Sequence, residues 1–204
     1  MQLIGMLDSP YVRRTAISFR LLGQPFEHRS ISVFRQFDAF AAINPVVKAP
    51  SLVCDDGEVL MDSSLILEYA ERLAAPRASL VPAGPREAQH ELRLIGLALA
   101  ACEKAVQGVY EKTLRPPEKQ FDWWLERVRG QLAAALGALE AEVARQPLAT
   151  ARDSITQAGV TVAVVWEFMQ SMQAEVIDSG RYPALGAHGI AAEALPEFRA
   201  FPPR

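Results

Sequence analysis

The segment AAPRASLVPAGPRE, residues 74–87, places Pro76, Pro82, Gly84 and Pro85 within ten positions. No helix or strand runs through such a cluster, because proline lacks the N–H that either needs and glycine loosens the backbone. The hydrophobic patterning differs on its two sides. Before it, short strand-like and helical stretches alternate. MQLIGM reads as a strand and Val12 to Leu22 as a helix ended by Gly23. FEHRSIS reads as a second strand opened by Pro25, and FRQFDAFAAIN as a short helix or ordered loop before Pro45. SLVCDD and EVLM flank Asp56-Gly57, a pair that supplies the positive φ angles of a tight hairpin turn, and Asp62 to Leu73 is helical. The order β-α-β-α-β-β-α is that of an α/β layer.

After the cluster the pattern is helical throughout. Leu92, Ile95, Leu99, Cys102, Val106 and Val109 recur at steps of three and four, as do Trp124, Val128, Leu132, Leu136, Leu139 and Val143. A third helix is predicted from Ser154 to about Ile177, opened by a capping box of Ser154 and Gln157. YPALGAHGIAAEALPEF suits one or two short helices. The predicted organisation is an α/β domain over 1–75, a linker over 76–86 and an all-helical domain over 87–204.

Charge and cysteine content narrow the function. A net charge of −3 without a run of basic residues provides no footprint for nucleic acid. The N-terminus lacks a basic segment followed by an apolar core, and AGVTVAVVWEFM falls short of the roughly 20 residues of a membrane span, so a cytoplasmic chain without a membrane partner is expected. Cys54 and Cys102 sit far apart in apolar stretches and read as buried reduced thiols. His28, His90 and His188 are too scattered for a metal site, and no glycine-rich phosphate loop is present. Arg13, Arg14, Arg20, Arg29, Arg35 and Lys48 against Asp8, Glu27 and Asp38 leave the first fifty residues at +3, which either attracts an anionic ligand or forms a solvated face.

Three loops carry candidate chemistry. Ser9 stands where the first helix begins, with Pro10 at its first position. It is either that helix's N-cap or a hydroxyl beside the unpaired N–H groups and partial positive charge of the helix start, a field that favours a thiolate. Pro50 precedes a strand inside the sheet, so the Ala49-Pro50 bond is either cis or an ordinary trans proline at a strand edge. Asp62 and Ser63 precede the next helix, as a cap or as partners for an ammonium group.

SPYV has the outline of the CPYC element of disulfide oxidoreductases, with Ser9 and Val12 in place of the thiols. Together SPYVRR, INPVVKAPSLVCDDGEVLMDSSLILEYAE, SITQAG and YPAL, spread over nearly the whole chain, resemble the cytosolic glutathione transferase family, specifically bacterial members with a Ser-Pro element. The resemblance implies a thioredoxin-like domain followed by a helical one, a homodimer, glutathione as co-substrate and no permanently bound cofactor. It gives Ser9 a hydrogen bond to the glutathione sulfur, with Tyr11 as the competing residue. The Ala49 backbone before Pro50 would pair with the cysteinyl backbone, Asp62 and Ser63 would hold the γ-glutamyl end, and Lys48 the glycyl carboxylate. A second substrate, an electrophile or a disulfide, would lie between the domains near Tyr11, Val12, Val106 and Tyr110. The implied chemistry is thiolate attack on an electrophilic small molecule. Disulfide exchange, or a non-catalytic interaction protein on the same fold, are the alternatives. The chain departs from the family at Val47-Lys48-Ala49-Pro50, commonly Gly-Lys-Val-Pro, and at Gln157, commonly Asp.

Overall fold

The computed structural model describes residues 1–172 and 177–203. They form two compact units. The first comprises Met1–Val81 together with Ala194–Arg204, the second Pro82–Glu193.

The first unit is built on four strands, β1 (Gln2–Ile4), β2 (Glu27–Arg29), β3 (Ser51–Val53) and β4 (Val59–Met61), with α1 (Pro10–Leu21), α2 (Phe37–Ala41) and α3 (Ser63–Ala74) between and after them. The spatial order is β2-β1-β3-β4, with β1 parallel to β2 and antiparallel to β3, and β3 antiparallel to β4. This is the β-α-β-α-β-β-α order read from the sequence. The Asp56-Gly57 turn closes as expected: Gly57 has φ +89, and Cys54 N donates to the Glu58 carbonyl at 2.8 Å. Leu3, Ile4, Val12, Ile17, Phe19, Leu52 and Ile66 are buried on the faces where sheet and helices meet.

The linker is less separate than its composition implies. Glu71 reaches forward from α3, accepting from Ser79 Oγ at 2.7 Å and from Leu80 N at 2.9 Å, and so ties the start of the linker to the α/β unit. The chain's last segment also departs from the predicted 87–204 domain. A short helix, α8 (Pro196–Arg199), packs on α1, where Arg13 Nε donates to the Phe201 carbonyl at 2.8 Å and the guanidinium lies 5.8 Å from the Phe198 ring centre. Arg13 and Arg14 are 1% and 2% exposed, so neither belongs to a solvated basic face.

The second unit holds α4 (Pro85–Leu114), α5 (Asp122–Arg145), α6 (Gln157–Met172) and α7 (Pro183–Glu193), with α4 packed on α5 and α6. The α5 stripe is the predicted one from Val128 to Val143. On α4 the buried face is Glu91, Leu94, Ala98, Ala101, Cys102 and Ala105; of the predicted stripe Cys102 alone lies on it, and Leu92 is 70% exposed. The small residues admit two neighbouring helices at close range, and Ile95, Leu99, Val106 and Val109 are left half-buried.

The capping box is also corrected. Among the described residues Ser154 Oγ bonds the Ala151 carbonyl and caps nothing, and Thr156 caps α6 instead, its Oγ1 accepting from Gly159 N. Thr156 Oγ1 donates in turn to Glu91 of α4 at 2.8 Å, and the other Glu91 oxygen accepts from Ala158 N at 2.9 Å. Glu140 of α5 does the same for α7, accepting from the N–H groups of Ala184 and Leu185. Two helix starts are thus satisfied by carboxylates from other helices, which suits the positive end of the helix dipole. The predicted helix continues to about Ile177; residues 173–176 lie outside the described residues.

Candidate functional site

The sheet register brings the three candidate loops to one end. Ile4 pairs with Ser51, and Ser51 pairs with Met61, so these residues form one row across β1, β3 and β4. The chain leaves β1 just beyond Ile4 toward Ser9, enters β3 from Ala49-Pro50 and leaves β4 into Asp62.

Gly5 shows how closely two of the loops approach. Its φ is +141, and a side chain there would meet Val12 Cγ2 at 2.6 Å and Ala49 Cβ at 3.1 Å. Only glycine allows the first turn of α1 and the residue before Pro50 to close on the strand end. His28 Nε2 donates to the Gly5 carbonyl at 2.8 Å and fixes it from the next strand. The sequence signal for Gly5 was a glycine at the end of a strand pattern, which is weak without knowledge of its neighbours.

Ser9 occupies the N-cap position of α1, with φ −74 and ψ 119, and its carbonyl accepts from Arg13 N at 2.9 Å. Its hydroxyl makes no capping bond to the helix. Pro10 is at the first helical position, as read from the sequence. Tyr11 is partly buried, whereas Val12 is 0% exposed beneath the first turn of α1, so Val12 forms the floor of that turn and is not open to a second substrate. Val106 and Tyr110 lie one turn apart on α4 in the second unit, the former half-buried and the latter exposed.

The Ala49-Pro50 bond is cis, which resolves the choice left open by the sequence; Ala75-Pro76 is a second cis bond, not anticipated. Lys48 is exposed, Ala49 half-buried and Pro50 buried. The loop is held by two buried polar residues outside the predicted set. Asn44 Nδ2 donates to Ser51 Oγ at 2.8 Å, Ser51 Oγ donates to the Lys48 carbonyl at 2.8 Å, and Asn44 Oδ1 accepts from Val46 N at 3.0 Å. Asn44-Pro45 is a turn signal in sequence, yet Asn44 acts as the pin of the whole loop. Val47, where family members commonly have glycine, holds φ +52, a conformation that costs a β-branched residue dearly.

Asp62 also has positive φ, +72, and its Oδ1 accepts from Ser64 N at 2.9 Å to cap α3. Ser63 is buried at the first position of that helix, and Arg14 Nη1 donates to Ser63 Oγ at 3.1 Å and to Ser64 Oγ at 3.3 Å. An oxygen-rich turn with a helix N-terminus behind it can take both an ammonium and a carboxylate.

No thiol of the chain competes at this end of the sheet. Burial and the Asp56 carboxylate push the Cys54 thiol up, against a hydrogen bond from Tyr69, which disfavours the thiolate. Cys102 is buried in the second unit. Among the described residues no group of three or more His, Cys, Asp or Glu could hold a metal ion, and no helix is long and apolar enough to cross a membrane.

A mixed four-stranded sheet with a cis proline entering β3, followed by a helical unit, is the thioredoxin-like plus helical architecture of glutathione transferases. Residues 3–78 match the glutathione S-transferase N-terminal domain family. Over 163 residues the chain is 30% identical to the GST-like protein YibF of Escherichia coli K12, covering 80% of this chain and 79% of that protein. A glutathione transferase family member from Pseudomonas fluorescens Pf-5, solved with bound glutathione, is 28% identical with a TM-score of 0.86, over 100% of this chain and 98% of that one. A glutathione S-transferase from Methylobacterium radiotolerans, in complex with glutathione sulfonate, is 25% identical with a TM-score of 0.89, over 98% and 93%. The chain belongs to the glutathione transferase family of enzymes.

Proposed function

We propose that this protein binds glutathione at the end of the sheet where Ser9, Ala49 and Asp62 converge, and activates it as a thiolate for attack on an electrophilic small molecule. The observation that carries this reading is the Ser9 hydroxyl: it sits at a helix start yet is not spent on capping that helix. With no capping bond to fix its rotamer, the side chain can turn its O–H toward a sulfur. The helix dipole favours the same anion, and a charge-assisted hydrogen bond lowers the pKa of the thiol that accepts it. The Pseudomonas fluorescens relative solved with bound glutathione supports the same ligand.

The remaining contacts follow from chemistry. The Ala49 N–H and carbonyl, presented by the cis bond to Pro50, suit the cysteinyl backbone in extended pairing. The second Asp62 oxygen suits the γ-glutamyl ammonium, since Oδ1 already caps α3. Ser63 suits the neighbouring carboxylate, and exposed Lys48 the glycyl carboxylate. Tyr11 on α1 is proposed for the electrophile. The chain is further proposed to act as a cytoplasmic homodimer.

Calorimetric titration with glutathione tests binding, and turnover is tested by coupling glutathione to chloroaromatic and epoxide acceptors. Saturable binding at millimolar glutathione or below, with conjugate formed, is the expected result. Absence of heat at millimolar glutathione would overturn the reading in favour of a non-catalytic interaction protein.

A further inference from the structure

Arg14 is a second-turn residue of α1, 2% exposed, and it donates to two hydroxyls that lie 49 and 50 residues away in the first turn of α3. A guanidinium only donates, so Ser63 Oγ, itself buried, must accept from it. The acceptance has a directional consequence. A hydroxyl has one proton and two lone pairs, and with a lone pair fixed on Arg14 the proton must point elsewhere. No acceptor for that proton is found among the described residues. At the start of α3 it stands beside the helix's own unpaired N–H groups, where an anion is favoured.

We infer that Arg14 is a positioning residue for the ligand's α-carboxylate: by committing Ser63 Oγ as an acceptor, it makes the Ser63 O–H a preset donor to that carboxylate. The inference rests on the reading that Asp62 and Ser63 hold the γ-glutamyl end. It adds a physical link between the two halves of the site. Arg14 follows Arg13, whose N–H closes the first turn on the Ser9 carbonyl, so the helix carrying Ser9 also sets the hydroxyl that reads the other end of the ligand.

The test compares glutathione with 4-aminobutanoyl-cysteinyl-glycine, which keeps the ammonium but lacks the α-carboxylate, by calorimetry on Arg14→Met and Arg14→Lys. Losing a charge-assisted hydrogen bond corresponds to about ten- to a hundred-fold in affinity. Arg14→Met should weaken glutathione by that factor and the analogue by less than about three-fold, with Arg14→Lys recovering part of the loss because it restores the donor and charge. Equal weakening of both ligands, or no weakening, would overturn the role. Should circular dichroism show Arg14→Met unfolded, Ser63→Ala takes its place: it should weaken glutathione selectively, and adding Arg14→Lys should cost nothing more, whereas additive losses would overturn the coupling. Failure of the unsubstituted protein to bind either ligand is a separate result, which overturns the glutathione reading and this inference with it.

Discussion

Arg13 Nε and the Phe201 carbonyl are 2.8 Å apart although 188 residues separate them in sequence, and the bond belongs to an aromatic seam. Phe201 stacks on Phe26 with ring centres 5.7 Å apart, Phe26 meets Phe19 edge-on at 5.5 Å, and Phe198 is 0% exposed beside the Arg13 guanidinium. The end of the chain is thus a structural part of the α/β unit. It braces the helix that carries Ser9.

Phe198→Ala is therefore expected to destabilise the first unit by about 3–5 kcal/mol, as for other fully buried phenylalanines. Hydrogen exchange should locate the effect: α1 amides lose protection while α5 amides keep theirs. Loss of protection confined to the second unit would contradict the seam.

The cap of α6 yields a paired prediction. Glu91→Ala removes an acceptor from both Thr156 Oγ1 and Ala158 N in a nearly dry setting, and should cost about 2–4 kcal/mol in denaturant unfolding. Ser154→Ala, at an exposed residue whose hydroxyl bonds the Ala151 carbonyl, should stay within about 0.5 kcal/mol. The reverse ranking would restore the capping box expected from SITQ.

His188 sets a pH dependence. It is buried, and burial holds its pKa below the ordinary value of 6.5 while its Nε2 donates to the Gly159 carbonyl. The unfolded chain then binds a proton that the folded chain refuses. Stability from this group is complete above about pH 6.5 and is lost as pH falls toward the lower folded value, at up to about 1.4 kcal/mol per pH unit. Melting temperature should drop by about 2–4 °C for each kcal/mol lost between pH 7 and 5.5. Substituting Asn for His188 should flatten that part of the profile, and an equally steep profile in the variant would assign it to other groups.

What was legible in the sequence follows the range of the interactions. Asp56-Gly57, Pro10 and the Asp62 cap are local, and each acts as its neighbours indicated. Arg13 and Arg14 read as surface charge because their partners, Phe201 and Ser63, are distant in the chain. Thr156 is a weaker candidate cap than Ser154 in the sequence because its partner Glu91 is 65 residues away. On α4, periodicity favoured bulky side chains, whereas close helix packing selected Ala98, Ala101 and Ala105. The site was legible as three loops in order. That they meet, with Gly5, Asn44 and Ser51 holding them, required the register.

The same distinction decides how Ser9 should be tested. A serine at a helix start ordinarily contributes about 1 kcal/mol through its capping bond, but here that bond is absent. Ser9→Ala should therefore leave thermal unfolding within about 0.5 kcal/mol of the parent. If the hydroxyl donates to bound thiolate, its loss removes about 1.5–3 kcal/mol of charge-assisted bonding, equivalent to roughly one to two pKa units on the glutathione thiol. Ultraviolet titration of the glutathione complex should show that pKa rising, and kcat should fall near neutral pH while recovering at alkaline pH. Ser9→Cys should gain a different activity: a thiol at that helix start is acidified and can form a mixed disulfide with glutathione disulfide, releasing glutathione. An unaltered thiol pKa in Ser9→Ala, with conjugation retained, would remove Ser9 from the chemistry and transfer the role to Tyr11, two residues along the same helix.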